Sequence, residues 1–182
     1  VFEGTKAYHT VKNNIVLFKI NKNAERMASS TKRLCIPKMN PEFFKEAVTS
    51  TVKDNLDFIP PYPKGNLYIR PIVWGTSPAL GVKPAENYTF IVFVSPVGPY
   101  FKNNSKLLNL KIENKYHRAA RKGIGNAKAI GNYSASLYPL SLAKKEGFDE
   151  VIYLDSVNEK KIEELGSANL FIFSNGKLKT PK

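Results

Sequence analysis

The stretch Gly123-Ile124-Gly125-Asn126-Ala127-Lys128-Ala129-Ile130-Gly131-Asn132-Tyr133 sets one lysine between glycine-containing loops, with a tyrosine five residues further on. Nothing in the surrounding pattern calls for an amine there, so chemistry is the first suspicion. Three readings compete. Most lysines are solvated and inert. A lysine in a glycine-rich loop can bind phosphate, but the spacing ending in Gly-Lys-Ser/Thr is absent. A Schiff-base lysine needs its pKa lowered by desolvation or by a neighbouring cation. The stretch alone leaves all three open, and the rest of the chain has to choose.

Downstream of it, residues 134–146 read as a helix ended by Gly147, and residues 150–155 as a strand. Residues 169–174 and 177–180 pair as strands across Asn175-Gly176. Upstream, residues 118–122 form a short helix or turn, and the polar stretch 102–114 reads as a linker. Further upstream, Phe2 to Tyr8 and Ile15 to Ile20 form a hairpin whose turn is Asn13-Asn14. Asn23 is expected to cap a helix over 24–33, stopped by Pro37. A second helix over 41–55 opens on Pro41 and carries Phe44, Val48, Val52 and Leu56 at helical spacing. A proline-rich connector over 59–65 leads to a strand over 67–74, where alternation puts Tyr68 and Arg70 on one face. Residues 75–87 read as loop. The strand at 88–95 is nearly continuously apolar, fit for a buried place in a sheet, and Pro96 is expected to break it.

The chain has 182 residues, long enough to bury a core, and its longest apolar run, Phe90 to Val94, is far too short to span a bilayer. Val1 is not a methionine, and Val1-Phe2-Glu3-Gly4 reads like the middle of a strand and turn. The chain is therefore expected to begin inside a longer protein, and about two strands and a helix after the linker imply that it also ends inside one. Cys35 is the only cysteine, which rules out an intrachain disulfide and a cysteine metal cluster; with His9 and His117 far apart, zinc is not expected. A cytoplasmic setting fits best. The net charge of +13 invites a nucleic-acid reading, but the lysines are dispersed and no zinc finger, RNA-recognition strand motif or helix-turn-helix spacing occurs. Solvated lysine-rich faces, with some attraction for anionic metabolites, account for the charge; neither nucleic acid nor membrane is an expected partner.

Glu164-Leu165-Gly166-Ser167-Ala168-Asn169-Leu170-Phe171 places a carboxylate before a small-residue turn and an apolar strand. This arrangement, with the Lys128 loop, resembles the signature of fold-type IV pyridoxal-phosphate enzymes. The resemblance narrows to the branched-chain amino-acid aminotransferases on Phe2-Glu3-Gly4-Thr5-Lys6-Ala7-Tyr8, Asn23-Ala24-Glu25-Arg26-Met27, Leu67-Tyr68-Ile69-Arg70-Pro71, Pro78-Ala79-Leu80-Gly81-Val82 and Ser95-Pro96-Val97-Gly98-Pro99-Tyr100-Phe101. It implies an α/β (α+β) chain of two domains: a small N-terminal domain over 1–100, a linker over 101–115, and the opening part of a large cofactor-binding domain over 116–182.

By that resemblance Lys128 is the catalytic Schiff-base lysine of pyridoxal 5'-phosphate, Glu164 holds the pyridine nitrogen, and Tyr133 meets the phenolic oxygen. Arg26 is implied as a phosphate ligand, and Arg118 as a further arginine near the phosphate side. Phe2, Tyr68, Val82 and Tyr100 match substrate-pocket positions. Arg70 matches the arginine that pairs with a glutamate side chain. Ser167 and Ala168 match positions that receive the substrate α-carboxylate through a hydroxyl or the backbone. The implied reaction is transfer of an amino group between leucine, isoleucine or valine and 2-oxoglutarate, in a homodimer. D-amino-acid transamination and aminodeoxychorismate lyase chemistry are the alternatives on the same fold; the Tyr68-x-Arg70 strand argues against both. An inactive basic binding module is the non-enzymatic alternative. The family's N-terminal segment with another pocket aromatic, and the C-terminal part that completes its phosphate cup, have no counterpart in these residues.

Overall fold

The computed structural model describes residues 1–99 and 107–181, so Tyr100 lies outside the described residues. The chain divides into two compact units, Val1–Asn104 and Ser105–Lys182.

In the first unit a four-stranded antiparallel sheet runs in the order β2-β1-β3-β4, from β1 (Thr5–His9), β2 (Ile15–Leu17), β3 (Asn66–Gly75) and β4 (Tyr88–Val97). The expected hairpin forms, with Ala7 opposite Leu17 and Asn13 at φ 60° in its turn. Along β3, Leu67, Ile69, Pro71 and Val73 are buried while Tyr68, Arg70 and Ile72 lie on the other, half-buried face. Two helices cover the buried face. Helix α2 (Pro41–Lys53) starts where expected: Asn40 Oδ1 accepts from the backbone N–H of Glu42 at 2.8 Å, and Pro41 occupies the first turn. Its buried stripe is Phe44, Val48 and Val52; Leu56, the next position of the pattern, is exposed in a short 3-10 turn (Leu56–Phe58). Each fully buried side chain of this kind contributes about 1.5–3 kcal/mol. They pack with Met27, Leu67, Ile69 and Val73 into one core.

Three expectations need correction here. Helix α1 runs over Ile20–Arg33 and is preceded by Lys19 at φ 51°, so Asn23 lies inside it and caps nothing. The Asn23 amide instead donates to the Glu3 carboxylate at 2.8 Å, a partner twenty residues away. Strand β4 is the edge strand of its sheet among the described residues, and Ile91 and Phe93 on its outer face are exposed. A continuous apolar run states how much can be buried, not which neighbours arrive. Nor does Pro96 end β4: it pairs opposite Leu67, in an edge strand that tolerates proline. Pro71 also sits inside β3. The Pro71 carbonyl accepts from Glu3 N–H at 2.8 Å, away from β4. In a strand N and O of one residue project to the same side, so the missing donor of Pro71 costs the β3–β4 ladder nothing.

The second unit contains a three-stranded sheet, order β5-β6-β7, and a separate hairpin. β5 (Leu110–Glu113) is parallel to β6 (Glu150–Leu154), which is antiparallel to β7 (Ile162–Leu165). Leu110–Glu113, expected to lie within the linker over 101–115, is thus a strand of this sheet. The crossover between β5 and β6 carries the Lys128 loop, α3 (Ile130–Ser134) and α4 (Leu137–Lys145). The helix expected over 134–146 forms as α4 but starts at Leu137, because Pro139 lacks an N–H and is tolerated only in a first turn; the short α3 before it was not expected. Gly147 at φ 89° ends it, as expected. The core here is small, with Ala143, Val151 and Tyr153 fully buried. Between β6 and β7, the Asp155 carboxylate accepts the backbone N–H groups of Asn158, Lys160 and Lys161, which hold its pKa far below the usual carboxylate range. β8 (Ile172–Ser174) and β9 (Lys177–Lys179) pair across Asn175 and Gly176, both at positive φ, the geometry a two-residue hairpin turn favours.

Candidate active site

The Lys128 loop is held by buried polar contacts. Ala127 and Ala129 are buried on either side of the half-buried Lys128, and Ala129 N–H donates to the Ala127 carbonyl at 2.8 Å, closing a tight turn at the lysine. Asn132 closes the loop from below: its Nδ2 donates to the carbonyls of Ile124 and Ala127, each at 2.8 Å. Glycine is needed at Gly125, where a Cβ would stand 2.7 Å from the Ala119 side chain. With the loop so fixed, Lys128 Nζ donates to the Tyr133 hydroxyl at 2.7 Å. The Arg118 guanidinium lies over the Tyr133 ring, 4.9 Å from its centre.

Arg118 is itself buried, and its Nε stands 3.4 Å from Glu164 Oε1. That is ion-pair range, but the alignment is not that of a hydrogen bond, and this N–H has no hydrogen-bond partner among the described residues. Lys128, Tyr133, Arg118 and Glu164 thus form one linked group, with Glu164 delivered by β7. The family resemblance implies Arg118 near the phosphate side; its contacts among the described residues include Tyr133 and Glu164. Beside it, burial and the Glu164 charge raise the pKa of Glu163 above the usual carboxylate value.

The turn after Glu164 is latched in a way the sequence did not disclose. The Ser167 hydroxyl donates to Glu150 Oε2 at 2.6 Å, and Glu150 is buried at the start of β6. That hydroxyl proton is therefore committed, and a carboxylate sits directly behind it. Of the two ways Ser167 was expected to meet a substrate carboxylate, only the backbone stays compatible with this contact.

In the first unit, Tyr68 and Arg70 share a face of β3, as alternation requires. Arg70 Nη2 donates to the Tyr68 hydroxyl at 2.6 Å, and the guanidinium lies 4.4 Å from the centre of the Phe2 ring. A cation and two aromatic rings stand together. Arg26 makes a two-pronged ion pair with Glu3, Nε to Oε1 at 2.6 Å and Nη2 to Oε2 at 2.7 Å. Tyr68 and Arg26 also line an open cavity of about 360 Å³ with Gly4, Lys6, Tyr8 and Asn23. Val82 is fully exposed in the loop before β4 and touches no such wall, and Tyr100 is outside the described residues.

Sequence reasoning missed Glu3, Glu150 and Asn132. A carboxylate inside an otherwise aromatic and apolar opening was a usable signal for Glu3. For Glu150 and Asn132 there was none, because only the fold brings their partners within reach.

Comparison with known proteins agrees with this arrangement. The family description "Amino-transferase class IV" matches residues 1–182. The chain is 46% identical over 183 residues to branched-chain-amino-acid aminotransferase 3, chloroplastic, of Arabidopsis thaliana, covering all of this chain and 44% of that protein. It is 41% identical over 181 residues to branched-chain-amino-acid aminotransferase 2 of Bacillus subtilis, covering all of this chain and 50% of that protein. Its fold resembles the branched-chain amino acid aminotransferase of Escherichia coli, with a TM-score of 0.79 at 28% identity, over 100% of this chain and 58% of that one. A branched-chain amino acid aminotransferase solved with pyridoxamine 5'-phosphate gives a TM-score of 0.80 at 29% identity, over 98% and 57% of the two chains. The chain spans about half the length of the curated relatives it matches. Because the family match runs over its whole length, the chain belongs to the class IV aminotransferases.

Proposed function

We propose that the protein to which this chain belongs is a pyridoxal-phosphate-dependent branched-chain amino-acid aminotransferase, exchanging an amino group between leucine, isoleucine or valine and 2-oxoglutarate. The observation that carries the reading is the Lys128 Nζ–Tyr133 hydroxyl contact of 2.7 Å, backed by Arg118 and Glu164. The donor set fits pyridoxal phosphate: an amine for its carbonyl carbon, a phenol for its ring oxygen, a carboxylate for its ring N–H, and an arginine for its phosphate. When bound, the cofactor supplies an electron sink for the pair left when the substrate Cα–H bond breaks.

The chain's own groups supply the rest. Lys128 Nζ would hold the cofactor and would carry the proton to and from the substrate α-carbon. Tyr133 accepts the Lys128 N–H and fixes the amine's direction. Glu164 would accept a charge-assisted hydrogen bond from the cofactor's ring N–H, with Arg118 beside that carboxylate as its ion-pair partner. Arg26 binds phosphate oxygens. Phe2 and Tyr68 offer the apolar wall for a branched side chain, and Arg70 the charge for the distal carboxylate of glutamate. Ala168 and the Ser167 backbone are offered to the α-carboxylate, and the family resemblance alone adds Val82, exposed in its loop here, and Tyr100 to the pocket residues. The family relatives' names support the branched-chain substrates, and the Tyr68–Arg70 pair disfavours the D-amino-acid and lyase alternatives. A cytoplasmic homodimer is part of the same reading, supported for the compartment by the lone Cys35.

Borohydride reduction of cofactor-loaded protein should leave a pyridoxyl mass on Lys128, and Lys128→Ala should abolish both this mass and transamination. Protein that carries no such mass, or prefers D-amino acids in a substrate panel, sinks the reading.

A further inference from the structure

Glu3 is wholly buried, yet it carries a charge. Its backbone is stitched to β3: Glu3 N–H donates to the Pro71 carbonyl at 2.8 Å, and the neighbouring Phe2 bridges Ile72. Its carboxylate collects four donors from two directions. Oε1 accepts Arg26 Nε at 2.6 Å, while Oε2 accepts Arg26 Nη2 at 2.7 Å, Asn23 Nδ2 at 2.8 Å and, more weakly, Gly4 N–H at 3.4 Å. A buried carboxylate is costly unless so satisfied, and a packed apolar residue would fill the space without that cost. The retained charge therefore calls for a use beyond packing.

Resting on the reading of Arg26 as the phosphate ligand, we propose that Glu3 is the positioning residue of the phosphate site: it pre-sets the Arg26 guanidinium toward the cavity it lines. The Arg26 side chain is half exposed, at 51%, whereas Glu3 is at 0%. A half-exposed arginine would otherwise sample many rotamers, and an anion would have to fix one of them on binding. The fork consumes the Nε edge, and because the guanidinium is planar its remaining N–H bonds are directed away from Glu3. Asn23, one turn before Arg26 on α1, locks the carboxylate from the same helix.

Charge and order predict opposite signs here. Removing a carboxylate beside an arginine raises the local positive potential, so electrostatics alone predicts tighter anion binding. Loss of the fork predicts weaker binding, and loss wins if Glu3 acts by orientation. Glu3→Gln keeps the size but turns an N–H toward Arg26, which breaks one prong.

The test titrates inorganic phosphate, then pyridoxal phosphate, into cofactor-free wild type, Glu3→Gln, Arg26→Ala and the double variant, and follows the Arg26 Nε–Hε NMR signal. Glu3→Gln is expected to weaken phosphate binding by about 10–100-fold, the range seen when an outer partner of a metal ligand is removed, and to collapse the dispersed Nε–Hε signal. In the Arg26→Ala background the same change should do nothing further. Asn23→Ala, at a half-buried position of α1, should weaken binding by a smaller factor and serves in place of Glu3→Gln if that variant does not fold. Unchanged or tighter phosphate binding in Glu3→Gln overturns the proposal, as does an equal loss with Arg26 already gone. If phosphate binding follows Glu3 but no cofactor reaches Lys128, the proposed function fails and this inference stands.

Discussion

The two units place their functional groups on very different supports. In the first, Tyr68, Arg70 and Arg26 stand on a long strand and a fourteen-residue helix packed on an extended apolar core. In the second, Lys128 and Tyr133 stand on a loop and a five-residue helix, and the core cluster among the described residues is small, built on Ala143, Val151 and Tyr153. What replaces the core there is a set of buried polar contacts: Asn132 under the loop, Arg118 beside Tyr133, and Glu150 behind Ser167. Recognition groups sit on a frame held by burial, and the reactive amine on one held by hydrogen bonds. Burial is tolerant of direction, whereas a hydrogen bond fixes direction, and an amine that must reach one carbon needs direction.

Three variants can break or sharpen this contrast. The largest stability effect is expected from Phe44→Ala, which empties a fully buried aromatic site in the first unit. It should cost about 3–5 kcal/mol, seen as a lower denaturant midpoint. A loss under about 1 kcal/mol would show that the first unit does not depend on its core.

Next, Asn132→Ala should cost about 1–3 kcal/mol, because it removes the two side-chain hydrogen bonds to the Ile124 and Ala127 carbonyls and leaves each with a backbone N–H alone. Its effect on turnover should be disproportionate, about 100-fold in kcat, since a misplacement near 1 Å can cost that much. Equal, small losses in stability and turnover would deny that direction is what the polar frame supplies.

The smallest change is Tyr153→Phe. The Tyr153 hydroxyl is buried with no hydrogen-bond partner among the described residues, so removing it should stabilise by about 1 kcal/mol. Burial first, then the Glu150 and Glu113 charges, push its pKa up to about 12 from an ordinary 10. The sign follows: the neutral form is favoured in the folded state, so its contribution is whole below pH 10 and is lost as pH rises toward 12. Tyr153→Phe should flatten that alkaline decline in a pH series of melting temperatures. An unchanged slope would mean that another group titrates there.

Much of this was legible locally. Helix α2 announced its cap, its proline and its stripe within one short segment, and the hairpin at Asn175-Gly176 needed only two positive φ values. Lys128, Tyr133 and Glu164 were found because their types and spacing match one family. The misreadings share a cause. Asn23 looks like a cap, but it has a partner twenty residues earlier. The apolar β4 looks interior, but its place at the sheet edge depends on which strands pair. β7 hides because Glu163 and Glu164 make an unpromising strand; pairing with β6 forms it. The Ser167 hydroxyl looks free, but it has a partner seventeen residues earlier in Glu150.

The sequence by itself determined the turns, the cap of α2 and the burial stripes, because each depends on residues within a few positions of one another, and it nominated Lys128 as the candidate reactive lysine. Only the tertiary structure decided that Glu3 grips Arg26, that Glu150 accepts a hydrogen bond from the Ser167 hydroxyl, and that Arg118 faces Glu164. Glu3 and Arg26 are 23 positions apart, and Glu150 and Ser167 are 17. Over such spans a side chain's choice of partner is set by where the backbone returns, not by the residue's own chemistry.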